Sequence, residues 1–189
     1  MTKLLSIIFS IILLPTFTFA GELTKATVID KMEVLSAGQV QVREATRVIE
    51  DGKVISQQFN RYVVSPGDDY SKRDAKVKAI CAKVQTQAVI DAYKNPAKPQ
   101  VTPGLVKETK VSKIHILEDG TLVAEKVTRV LDSGKEIGTS KVTEKIVPGV
   151  DVTAKEAAVK DIATVIQTKE VIDVYKAAHP EAAVAVGPK

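Results

Sequence analysis

Alternating hydrophobic and polar residues occupy two long stretches of the chain, and a segment of helical periodicity follows each of them. In the first stretch, Ala37-Gly38 and Asp51-Gly52 interrupt the alternation with turn-forming residues. Period-two alternation between glycine-containing turns predicts antiparallel strands joined by hairpins. The alternation is imperfect near Glu44, which indicates a bulge in the second strand. The three predicted strands run from Thr27 to Leu35, from Val40 to Glu50 and from Val54 to Val64.

The third strand should end at Pro66-Gly67, because proline cannot donate to a β-ladder. Asp68-Asp69 lacks the alternating oxygen ligands of a calcium loop, so it is better explained as helix capping. Ser71 and Asp74 have the spacing of a capping box, which predicts a helix that starts near Lys72.

The apolar stripe of this helix loses its phase at Gln85-Thr86, where Thr86 is a good N-cap. The sequence therefore predicts either a kinked helix or a pair of helices that ends near Lys94. The residues of the buried stripe are Val77, Ile80, Cys81 and Val84.

The same pattern returns 82 residues later, so that "RVIEDGKVI" becomes "RVLDSGKEI". Residues 40–94 align with residues 122–176 without a gap, and 20 of these 55 positions are identical. A single turn motif would not keep its register over such a length, so the alignment indicates an internal duplication. The predicted fold class is α+β, with two tandem repeats, each a three-stranded antiparallel β-meander followed by a kinked helix or helix pair. Counterparts of the features above are Asp119-Gly120, a bulge near Lys126, Ser133-Gly134, a third strand from Glu136 to Val147, a capping box from Thr153 to Glu156, a helix start near Ala154, and Thr168.

Five segments follow from this organisation. The first twenty residues have a short positive region, an apolar run and a small-residue ending, which together predict a signal peptide cut after Ala20. The alternative is an uncleaved membrane anchor, but the run is short for a spanning helix. The predicted segments are the signal peptide (1–20), repeat module 1 (21–94), a proline-rich linker (95–104), repeat module 2 (105–178) and a flexible tail (179–189).

The predicted signal peptide indicates a periplasmic or secreted protein that meets the membrane only during export. The formal net charge is +4, from 27 basic and 23 acidic residues. The two signs of charge are interspersed along the chain, and Lys and Arg form no block. Nucleic acid is therefore not an expected partner, and an unknown protein partner is predicted instead.

Few residues carry the chemistry of catalysis or of metal binding. His115 and His179 have no partner at ligand spacing, so we predict no metal site and no cofactor. Cys81 lies on the predicted buried stripe, where it is expected to act as a small hydrophobic residue. His115 falls where the first copy has Glu33, which favours an exposed strand position. We predict no catalytic residue.

Arg47 and Arg129 recur at the same place on the middle strand of each repeat, beside Thr46 and Thr128. They are the candidates for a repeated surface contact. The structural alternative is a cross-strand ion pair, or an arginine stem that covers apolar surface.

The segments "RVIEDGKVI", "VVSPGDD" and "TQAVIDAYK", with "RVLDSGKEI", "IVPGVD" and "TKEVIDVYK" in the second copy, resemble small single-module proteins of tailed phages. Gln85 and Gln87 depart from this pattern, in which Trp and Pro are expected. The resemblance covers each module and implies a structural or interaction role without an activity.

The leading hypothesis is an exported, non-enzymatic structural or interaction protein made of two duplicated modules, with a possible phage-related origin. The alternative is a periplasmic or secreted binding or inhibitor protein that presents two similar faces to its target. The least favoured hypothesis is an enzyme with a site between the modules.

Overall fold

We describe a computed structural model of the chain over residues 22–97 and 102–180. The predicted signal peptide with its cleavage site, the centre of the predicted linker and most of the predicted tail lie outside these ranges. The first half contains β1 (Leu23–Leu35), β2 (Val40–Glu50), β3 (Lys53–Val64), α1 (Ala75–Val84) and α2 (Gln87–Lys94). The second half contains β4 (Leu105–Leu117), β5 (Leu122–Asp132), β6 (Lys135–Ile146), α3 (Ala157–Ile166) and α4 (Lys169–Ala178).

All six strands form one antiparallel sheet in the order β3-β2-β1-β4-β5-β6. The α+β class and the antiparallel meander are as predicted. The two groups of three strands are not separate sheets, because residues 31–35 of β1 pair with residues 113–117 of β4. In this central pairing Glu33 lies opposite His115, which is its own counterpart in the alignment. The two halves are thus related by an approximate two-fold axis between these two residues.

A single apolar core extends across both halves. Helices α1 and α3 cover the same face of the sheet, and their side chains pack with those of the central strands. Branched aliphatic residues are suited to this half-buried, pleated surface. The core includes Met32, Val34, Ile114 and Ile116 from the central strands, Val77, Ile80 and Cys81 from α1, and Val159, Ile162, Ala163 and Ile166 from α3.

The hairpin turns form where glycine predicts them. Asp51 has a φ of 48° and Gly52 a φ of 79°, and Ser133 and Gly134 repeat this geometry at 48° and 84°. Two successive residues of positive φ make the type I′ turn that matches the twist of a two-residue hairpin. The predicted break between the two helices of each half is also confirmed, because the Thr86 and Thr168 side chains cap α2 and α4.

The bulge is in the neighbouring strand and not in the second strand of each half. The pairing of β1 with β2 shifts between Ile29 and Lys31, which leaves Asp30 as the extra residue. Ser112 is the extra residue of β4. The prediction was wrong about the strand because a bulge disturbs the alternation of both partners, and the sequence does not show which one carries the additional residue.

The predicted helix starts near Lys72 and Ala154 were also wrong. Helix α1 begins at Ala75, and Asp74 is its N-cap, accepting from the Lys76 amide at 2.7 Å. Helix α3 begins at Ala157 after Glu156, without a side-chain cap. The preceding residues form a turn instead, in which Asp69 accepts from the Ser71 amide at 2.8 Å. The hydroxyl of the proposed capping box therefore lies outside the helix.

Candidate functional site

A groove of about 540 Å³ lies between the two halves. It lies beside the β1–β2 turn, where the end of α1, the start of α2, the edge of β4 and the start of α3 meet. This volume is in the range of small-molecule sites. We call it the open groove. Its apolar residues include Val34, Val84, Val89, Val111, Ile114 and Ile162.

The equivalent place in the other half is almost filled. A cavity of about 20 Å³ lies beside the β4–β5 turn, and we call it the closed counterpart. Each of its nine lining residues aligns, at the 82-residue offset, with a residue that lines the open groove. The fold therefore builds this site twice and leaves one of the two copies open.

Side-chain size explains the difference between the two copies. At five aligned positions the open groove carries a smaller residue than its closed counterpart. The five pairs, open groove first, are Val34 and Ile116, Val84 and Ile166, Val111 and Ile29, Ala158 and Lys76, and Ser36 and Glu118.

Arg47, one of the two predicted contact residues, forms an ion pair at the closed counterpart. Its guanidinium donates to both carboxylate oxygens of Glu118, at 2.9 and 2.6 Å. The hydrogen bonds to Glu118 raise the pKa of Arg47. This pair joins the first half to the second, and Glu118 also lines the closed counterpart.

Arg129, the other predicted contact residue, has a different environment. Ser36 stands where a counterpart of Glu118 would be, so Arg129 instead lies 3.4 Å from Glu136 on β6. Its side chain is 59% exposed, against 23% for Arg47. Arg129 also lines a cavity of about 150 Å³ that shares Ser36, Lys110 and Val111 with the open groove. The repeated arginines of the sequence thus do not make repeated contacts.

The charges around the open groove are mostly paired. Lys83 of α1 lies 3.1 Å from Asp161 of α3. Lys126 lies 2.8 Å from Glu156, and its hydrogen bond to Glu156 lowers the pKa of that carboxyl. A carboxylate of lowered pKa is a weaker general base than an ordinary one.

A second charged cluster lies on the two-fold axis. His115 was predicted at an exposed strand position, but its side chain is only 23% exposed and its Nδ1 lies 3.2 Å from Glu33. Lys31 and Lys113 contact the same carboxylate at 2.7 and 3.4 Å. Partial burial opposes ionisation of Glu33, but the hydrogen bond and charge of Lys31, with the charges of Lys113 and His115, lower its pKa.

Cys81 and His179 occupy structural positions. Burial raises the pKa of the Cys81 thiol to about 11, which makes it a poor nucleophile at neutral pH. The His179 ring stacks on Tyr175 with centroids 4.3 Å apart. Within residues 22–97 and 102–180, no cluster of three or more His, Cys, Asp or Glu side chains could hold a metal ion.

Sequence reasoning missed the role of Gln85, which is only 5% exposed. Its amide donates to the carbonyl oxygens of Gly38 and Val64, at 3.0 and 3.1 Å, and so fixes the α1–α2 kink to the sheet. Gln167 repeats both bonds at 3.2 and 3.4 Å. Because both copies keep glutamine before the capping threonine, the repeat contained a signal for a shared structural demand.

No family model, curated protein or solved structure was found to match this chain. The resemblance to phage proteins therefore stays a prediction. Among the helices in the described part of the chain, none combines the length and the apolar character that a membrane span needs.

Proposed function

We propose that this protein is an exported, non-enzymatic binding protein, formed by duplication of one module, that holds an apolar ligand in its open groove. The single observation that carries the proposal is the pair of aligned cavities, one of about 540 Å³ and the other of about 20 Å³. Five smaller side chains empty one copy of a site that the same fold fills elsewhere. An unfilled apolar cavity forfeits packing contacts, so its retention is best explained by an occupant.

The groove also bears on the hypothesis of a bivalent binder. Two identical binding faces would require both copies of the site to be open, whereas larger side chains fill the closed counterpart. The outer strands share the exposed pair Ile55 and Ile137, but Phe59 and Val63 align with Lys141 and Lys145, so their exposed faces are not equivalent. We therefore favour a single site over two equivalent ones.

An enzymatic role has less support. The groove is lined by aliphatic residues together with lysine, serine and threonine, and its acidic residues Glu156 and Asp161 each have a lysine partner. General acid–base or nucleophilic catalysis would need an activated group directed at the ligand. A binding role needs only the apolar lining and the space.

The neutral fluorescent probe N-phenyl-1-naphthylamine tests this function. We expect its fluorescence to rise on binding to the purified protein. The triple variant V84I/V111I/A158K places three of the five larger side chains of the closed counterpart into the open groove, and it should bind the probe at least about tenfold more weakly, equivalent to about 1.4 kcal/mol. Its fold should persist, because the same residues already pack at the equivalent place.

The variant V174I/A92K is the matched control, since it adds similar bulk at exposed helix positions. It should bind the probe as the unmodified protein does. Unchanged binding by the triple variant would place the probe elsewhere and contradict the proposal. Absence of probe binding by the unmodified protein would contradict it as well.

A further inference from the structure

At the closed counterpart, the chain itself supplies a carboxylate. Glu118 lines that cavity together with Ile116, Ile166 and Lys76. From this position its carboxylate reaches Arg47 and accepts from both terminal nitrogens of the guanidinium, at 2.9 and 2.6 Å. The protein thus fills one copy of the site with larger apolar side chains, and it lines that copy with a partly exposed carboxylate that is held by an arginine.

The open groove has the arginine without the carboxylate. Ser36 is too short to reach Arg129, whose contact with Glu136 is a single one at 3.4 Å on an exposed side chain. Exposed ion pairs of this kind contribute little free energy. An incoming carboxylate therefore has only a weak internal competitor.

Space connects the arginine with the groove. The cavity of about 150 Å³ that Arg129 lines and the open groove of about 540 Å³ share Ser36, Lys110 and Val111, along the edge of β4. A ligand can extend from the apolar groove to the guanidinium around this edge, as Glu118 does in the closed counterpart.

The other charges nearby favour an anionic head group. The open groove and the adjoining cavity are lined by Lys83, Lys110, Lys113 and Arg129 against Glu108, Glu156 and Asp161. The three acids are each in contact with a lysine: Glu108 with Lys110 at 2.9 Å, Glu156 with Lys126 at 2.8 Å, and Asp161 with Lys83 at 3.1 Å. Arg129 and Lys113 have the longest contacts of this set, at 3.4 Å each, and the contact of Arg129 is the more exposed of the two.

We propose that the open groove binds an amphipathic carboxylate, with its alkyl chain in the apolar groove and its carboxylate on Arg129. This inference depends on the proposed function and names the class of ligand. Arginine suits the role because its planar guanidinium can donate two parallel hydrogen bonds to one carboxylate. The ligand supplies what Ile29, Ile166, Lys76 and Glu118 supply in the closed counterpart.

Competition against N-phenyl-1-naphthylamine tests the ligand class. Dodecanoate and dodecanol share one alkyl chain and differ in the charged head group. Dodecanoate should bind the unmodified protein about tenfold more tightly, since charge-assisted bidentate bonds are the stronger kind. R129Q should remove this preference and leave dodecanol binding unchanged, while the matched variant R47Q should keep the preference.

A second pair of variants tests the effect of a carboxylate at position 36. S36E places a glutamate where the closed counterpart has Glu118, so it should abolish the preference for dodecanoate. S36Q has the same bulk without the charge, so it should weaken the binding of dodecanoate and of dodecanol equally.

Equal binding of dodecanoate and dodecanol by the unmodified protein, or a preference that survives R129Q, would overturn the carboxylate assignment while leaving the proposed groove intact. Displacement of the probe by an acidic peptide, and not by dodecanoate, would overturn it in favour of a peptide ligand. Failure of the probe itself to bind would instead contradict the proposed function.

Discussion

At the scale of single residues, the two-fold relation brings charges together that the sequence keeps far apart. Glu33 and His115 are aligned positions of the duplication, yet they face each other across the central strand pair. Lys31 and Lys113, another aligned pair, both contact the Glu33 carboxylate. One acid is thus surrounded by two lysines and a histidine at the centre of the sheet, and its ionisation is coupled to folding.

We predict that E33Q lowers the free energy of unfolding at pH 7 and that this loss disappears in acid. The folded state lowers the pKa of Glu33 from its ordinary value of 4.5, so its contribution is present above that value. As the pH falls through the lowered pKa, the carboxylate becomes protonated and the contribution is lost. Urea unfolding of both proteins between pH 7 and pH 2 measures this difference.

The variant E22Q provides the control, because Glu22 lies exposed at the start of the described chain. It should unfold as the unmodified protein does throughout this range. A difference between E33Q and the unmodified protein that stays constant with pH would show that the effect is not due to ionisation.

At the scale of elements, the helix pair of each half is fixed to the neighbouring hairpin turn. Gly38 has a φ of 82°, and a Cβ atom there would lie 2.4 Å from Cγ1 of Val89 in α2. Gly120 and Val171 repeat this contact at 2.5 Å. Glycine is thus required for its backbone conformation and for the close approach of the helix.

We predict that G38A destabilises the protein by about 1 to 3 kcal/mol more than G52A does, because overpacking adds to the cost of positive φ. Gly52 has a similar φ of 79° with no atom near its missing Cβ, so G52A measures the backbone cost alone. Chemical denaturation of the two variants gives the comparison. The double variant G38A/V89A should lose less stability than the two single changes added together, and strict additivity would contradict the proposed clash.

At the scale of the whole molecule, the continuous sheet and the shared core join the two halves into one structural unit. The central strands pair directly, and α1 packs beside α3 in the same apolar core. We therefore expect both halves to unfold in a single transition, as small domains with one core commonly do.

Cys81 provides a test of this cooperativity, because it is buried in the first half and is the one cysteine of the chain. The variant I162V in the second half should cost about 1 kcal/mol. If the halves unfold together, the rate at which Cys81 reacts with a disulfide reagent should rise about fivefold. I80V, at the aligned position in the first half, should raise it by a similar factor, whereas an unchanged rate in I162V would mean that the halves unfold separately.

The sequence by itself determined the local structure, since turns, caps and stripes depend on residues close together in the chain. Asp51-Gly52 and Ser133-Gly134 form the predicted turns, Thr86 and Thr168 cap the second helices, and the predicted stripe of α1 is buried at Val77, Ile80 and Cys81. The repeat also identified Arg47 and Arg129 as candidate contact residues, because both copies keep arginine at this position.

Only the tertiary structure decided how the two halves combine. Arg47 and Glu118 are 71 positions apart, and no local pattern indicates their ion pair. The open groove results from five smaller side chains on different elements, whose effects meet only when β1 pairs with β4 and α3 packs beside α1. Residues such as Ser36 and Ala158 look ordinary in the sequence, because an empty volume is a property of all the side chains around it.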